Sequence, residues 1–165
     1  MASVSLILIA RLLHVVAGVL WAGVIFVLVT AVMPIARQQA KDGAQRWTPL
    51  LAQRVGPLSG IAAIITIASG IYLMAALHAQ DDSLAGTLLK IGALAGVLAF
   101  IVGVAIARPA ALKLGSLAAD ATDPQALQLR AQLQRRSSVS SKVTAALVGV
   151  AVLCMALFRY APMLS

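Results

Sequence analysis

Hydrophobic positions dominate four stretches of the chain, each far longer than a strand. The first runs over about residues 4–35 and is broken once, by Arg11. The others cover about residues 57–77, 84–107 and 143–162. All are rich in Leu, Ala, Val and Ile, with no alternation of apolar and polar positions. A helix that crosses a bilayer needs about 20 mostly apolar residues. Lipid admits only helices or closed barrels, because no water is there to pair an exposed backbone. A barrel would show short alternating segments. The pattern therefore predicts an all-α integral membrane protein: a single transmembrane domain over residues 1–165, built as a bundle of four helices. The first stretch lacks the basic start and short apolar run of a cleaved signal peptide, so it reads as a span.

Polar segments set the orientation. The loop at 36–56 holds Arg37, Lys41, Arg46 and Arg54. The loop at 108–142 holds Arg108, Lys113, Arg130, Arg135, Arg136 and Lys142. The short loop at 78–83 has Asp81 and Asp82 and no basic residue. The excess of Lys and Arg in cytoplasmic loops puts the first and third loops inside. Both termini then face the outer, periplasmic side. Within the third loop, Asp123-Pro124 reads as an N-cap followed by proline at the first helical position. A helix is expected from residue 124, either running on into the membrane or lying at the headgroups with its arginines near anionic lipid. A solvated linker is the alternative.

Composition closes off other classes. The 165 residues are 61% hydrophobic and 11% charged, against about 25% charged in soluble domains, and mean hydropathy is +0.97. The net charge of +8 arises from 13 basic residues against 5 acidic ones. Its concentration in two loops is a topology signal and does not point to nucleic acid. Disorder and disulfide scaffolds are excluded as well, since the one cysteine, Cys154, lies in an apolar run.

Small residues recur at helical spacing: Gly56 and Gly60, then Gly92, Gly96, Ala99 and Gly103, then Ala145, Ala146 and Gly149. With little hydrophobic drive between helices in lipid, such stripes set close approach. They serve helix packing within the chain or against another subunit, and the spacing leaves both open.

Ionisable groups inside spans default to functional candidates. Arg11, His14, Lys90 and Arg159 qualify, with His78 at a span end. With the termini outside, all five fall in the outer half. Arg11, His14, Gly18 and Trp21 share one helical face, and Gly18 is expected to leave room beside the imidazole for something large and flat. Gly70, Met74 and His78 form a second stripe. His14 and His78 from facing helices are the candidate axial pair for a haem iron, with Met74 as a thioether alternative. The plainer readings are an interfacial His78, outward snorkelling of Arg11, Lys90 and Arg159, and ordinary packing for Trp21. No CxxC, HExxH, P-loop or GxGxxG pattern is present, and two histidines without glutamate leave no usual zinc or di-iron set.

The run Leu13-His14-Val15-Val16-Ala17-Gly18-Val19-Leu20-Trp21-Ala22-Gly23 resembles the first helix of the CopD/HemJ-like group of bacterial membrane proteins. Leu88-Leu89-Lys90-Ile91 resembles the lysine-bearing helix of the HemJ-type protoporphyrinogen oxidases, and Arg54-Val55-Gly56-Pro57 fits the order of elements. The resemblance covers roughly the first 110 residues. It implies a multi-pass protein of the bacterial inner membrane with a b-type haem, and it makes His14 and Lys90 the key polar residues. Residues 27–35 lack the aromatic, Arg and His pattern of the HemJ-type helices, so the resemblance carries haem binding further than porphyrinogen oxidation.

Three functions are thus expected to compete. One is a haem b protein in electron transfer or porphyrin oxidation, with His14 as axial ligand, His78 or Met74 as a second, and Lys90 and Arg11 beside the propionates. Another is a non-catalytic accessory subunit of a larger membrane complex or homo-oligomer. The third is copper handling through Met74, His78, Met163 and His14. Whether the protein is an enzyme stays open in the sequence.

Overall fold

In a computed structural model, residues 3–35, 38, 48–117 and 123–163 are described. They form four long helices and, among the described residues, no strand. Helix α1 is α-helical over Val4–Val27, passes through a π turn at Leu28–Val32, and reaches Ile35. Helix α2 spans Thr48–Leu77. Helix α3 covers Leu84–Val102, a π turn at Gly103–Ala107, and Arg108–Ser116. Helix α4 runs from Pro124 to Leu157 and tightens into a 3-10 segment at Phe158–Met163. Each is long and apolar enough to cross a membrane.

Local chemistry explains the ends and irregularities. Ser3, Ser83 and Asp123 cap α1, α3 and α4, each side chain accepting from a backbone N–H of the first turn. The Asp123-Pro124 pair thus starts a helix, and that helix continues unbroken through the fourth apolar stretch. Arg11 does not interrupt α1. Both π turns end two residues before a proline, Pro34 and Pro109. Proline lacks the N–H and its ring crowds the carbonyl four residues back. Shifting to the wider i to i−5 pattern, seen where Met33 donates to Leu28 and Arg108 to Gly103, relieves that crowding. Pro57 lies inside α2, as membrane helices tolerate. The helix begins at Thr48, before the apolar stretch starts. Arg37, Lys41 and Arg46 of the first loop lie outside the described residues.

The helices pair as two antiparallel hairpins. Along α1 and α2, Gly18 faces Thr66 and His14 faces Gly70. Along α3 and α4, Gly92 faces Cys154 and Ala151, and Gly103 faces Thr144. A Cβ on Gly92 would come within 3.0 Å of Cys154 Cβ, so this glycine sets a close approach. The hairpins join where Trp21 and Ala22, Ala62 and Ala63, Ala99, and Val148 meet in one buried cluster. One tryptophan and mainly alanines make up this core, as expected where dispersion and close approach replace hydrophobic drive. The larger side chains point outward: Val4, Val19 and Leu12 are each about two-thirds exposed or more. Such an apolar exterior suits lipid and not water. The N-terminal end of α1, the end of α2 and the start of α3 share one end of the bundle with the end of α4.

Candidate functional site

His14 is held between α1 and α2. Its Nδ1 lies 2.8 Å from the backbone carbonyl of Thr66. A carbonyl only accepts, so Nδ1 carries the proton and donates, and Nε2 of the neutral ring keeps the lone pair. Ser69 Oγ stands 3.4 Å from the same Nδ1. The hydroxyl hydrogen of Ser69 is already committed to backbone carbonyls, Ile65 O at 2.6 Å or Thr66 O at 3.1 Å. Thr66 bonds back to Ala62 O at 2.7 Å. Both hydroxyls are thereby satisfied inside their own helix, as small polar residues in apolar helices usually are. The imidazole lies on Gly70: a Cβ there would sit 2.8 Å from Cε1 and 3.1 Å from Nδ1, but 3.9 Å from Nε2. Nε2 is the end of the ring turned away from α2.

This arrangement differs from the expected one at Gly18. The space beside that glycine is taken by the Thr66 methyl, 3.5 Å from where a Cβ would be. The flat clearance belongs to Gly70, and the imidazole itself fills it. Trp21, two turns further along α1, is buried in the four-helix core. Arg11 lies on the exposed side of α1.

His78 is not brought to His14. It follows the last residue of α2, with Nδ1 3.4 Å from Asp81 and its ring edge-to-face with Phe158 at 6.2 Å between centroids. It stands about 12 Å further along α2 than Gly70 at 1.5 Å per residue, too far for one iron to take both rings. Met74 is half-buried one turn beyond Gly70, and no hydrogen bond links it to His14 among the described residues. Lys90 is exposed at the start of α3 and pairs with Asp82 at 2.9 Å. No group of three His, Cys, Asp or Glu side chains suited to a metal occurs among the described residues.

The loop bearing His78 is itself ordered. Asp81 accepts from the Ser83 hydroxyl and from its backbone N–H. Those two bonds, with His78 beside it, hold the Asp81 carboxyl below its ordinary value of 3.8.

Thr66 and Ser69 carry no mark in the sequence, and Gly70 enters there only as one of a stripe with Met74 and His78. The signal available is that, with Gly70, they are small residues at i, i+3 and i+4 on one face of an Ile- and Ala-rich helix. Tyr72 is unmarked as well. Its hydroxyl is buried and has no hydrogen-bond partner among the described residues. Comparison with protein-family models, with curated proteins and with solved structures finds no match for this chain.

Proposed function

We propose that this chain is a membrane haem b protein whose iron Nε2 of His14 would hold. The observation that carries the reading is the 2.8 Å bond from Nδ1 to the Thr66 carbonyl. Metal-ligating histidines are commonly held in this way, with the second nitrogen donating to a backbone carbonyl, which fixes the tautomer and raises the basicity of the ligand. His14 is also only half-buried, so the α1–α2 seam does not seal its ring in. The donor set fits a single protein ligand. It does not fit a bis-imidazole site, because His78 is engaged elsewhere.

The haem would supply one-electron chemistry in electron transfer or porphyrin-related oxidation, and the protein the ligand, burial and nearby charge that tune its potential. Thr66 and Ser69 orient the imidazole, Gly70 allows it to lie flat, and Arg11 is one turn nearer the outer end, where it would pair with a propionate. Lys90, bound to Asp82, would serve the surface charge of that end. The test is a visible absorption spectrum of protein purified from haem-replete cells. A Soret band that disappears in His14→Ala supports the reading. A colourless wild-type protein removes it.

A second reading, a packing subunit of a larger membrane assembly, is favoured by α1, whose apolar window is only 11% buried. Co-purification of a stoichiometric larger complex without pigment would select it.

A further inference from the structure

At the end of the bundle opposite His78, α3 and α4 border a half-open surface cleft of about 380 Å³. Lys113 and Ser116 line it from α3, and Gln132, Leu133 and Arg136 from α4. We propose that this cleft binds the phosphate of an anionic membrane phospholipid. Two cations and the Gln132 amide line it, and among the described residues no acidic side chain does. Neither Lys113 nor Arg136 takes part in an ion pair among the described residues. The Ser116 hydroxyl donates to the Lys113 carbonyl at 2.9 Å, so the charge recognition falls to the two basic residues. Leucines make up the rest of the lining, Leu133 being buried. A mixed cationic and apolar lining suits an amphiphile rather than a free, fully hydrated anion.

Depth agrees with this. Lys113 lies about 34 Å along α3 from Lys90, and Arg136 about 34 Å along α4 from Arg159, at 1.5 Å per residue. The hydrocarbon core of a bilayer is about 30 Å thick. Lys90, paired with Asp82 and exposed, marks one headgroup layer, so Lys113 and Arg136 fall in the other. That end carries most of the chain's basic residues, which places it at the cytoplasmic leaflet by the positive-inside rule. Basic pockets between helices on that side are suited to anionic headgroups. The site is independent of any haem at His14.

Arg135 and Arg136 provide an internal control. They are adjacent, but Arg135 faces a separate groove with Ala131 and Gln134. The purified full chain would be titrated with phosphatidylglycerol or phosphatidylcholine and read by native mass spectrometry. We expect a one-to-one adduct favouring phosphatidylglycerol. Arg136→Gln and Lys113→Gln should each weaken it about fivefold, the effect of ~1 kcal/mol from one basic side chain at an anionic surface. Arg136→Lys should retain it, and Arg135→Gln should leave it unchanged. Equal weakening by R135Q and R136Q would reduce the effect to diffuse charge and overturn the proposal. So would equal binding of the two lipids, or displacement by millimolar inorganic phosphate.

Discussion

The imidazole of His14 occupies the place a side chain on residue 70 would take: a Cβ on Gly70 would stand 2.8 Å from Cε1 of the ring. The glycine lets α2 receive a flat ring from α1, and the Thr66 carbonyl then holds that ring by Nδ1. Gly70→Ala should therefore displace the imidazole and break its bond to Thr66. Overpacking of this kind costs about 1–3 kcal/mol. The 15N shifts of the His14 ring report the change directly. Shifts equal to those of the parent protein would show that the ring does not depend on this contact.

Trp21 is the one large side chain in the cluster where all four helices meet, and it is 7% exposed. Trp21→Ala leaves a void lined mainly by alanines and Val148, which are too short to fill it. In protein cores such a deletion costs about 3–5 kcal/mol. The expected outcome is a lower resistance to denaturing detergent, followed by loss of helicity. Trp21→Phe, which keeps most of the ring volume, should lose markedly less.

Gly86 faces the backbone carbonyl of Asp81, and a Cβ there would overlap it. Backbone cannot step aside as a flexible side chain can. Gly86→Ala should force the 78–83 loop out of its turn, weakening the Ser83 cap on α3. Faster amide exchange at Ser83 and Gly86, with the rest of α3 still protected, is the pattern to look for.

Asp81 gives a pH dependence whose direction follows from its bonds. Hydrogen bonds from the Ser83 hydroxyl and backbone N–H stabilise its ionised form. A carboxyl lowered in the folded state adds stability above its ordinary value of 3.8, and that stability is lost as pH falls through the folded value. The contribution of Asp81 to the loop should hence be constant down to about pH 4 and be lost only below. Carboxyl 13C shifts of Asp81 against pH would follow it. Asp81→Asn, which keeps the shape without the charge, should abolish the acid transition at the loop.

Length and apolar run made four helices able to cross a membrane legible, because a bilayer demands about 20 apolar residues whatever the neighbours are. The start of α4 was legible too, since an Asp-Pro cap acts within one turn. His14 stood out as a polar group in an apolar stretch, and polar groups in lipid must find a partner. Its partner could not be read, because the partner is a backbone carbonyl on another helix and carries no residue-type signature. The same holds for Gly18 and Gly70. Both are glycines at plausible spacings, but only the register between α1 and α2 decides that one receives a methyl and the other an imidazole. His78 and His14 shared the outer half in the sequence, yet the axial offset between them and the pairing of His78 with Asp81 and Phe158 exist only in three dimensions. Hydrophobic patterning is imposed by the solvent and is written residue by residue. Side-chain convergence is set by helix rotation and register, which depend on the packing of all four helices at once.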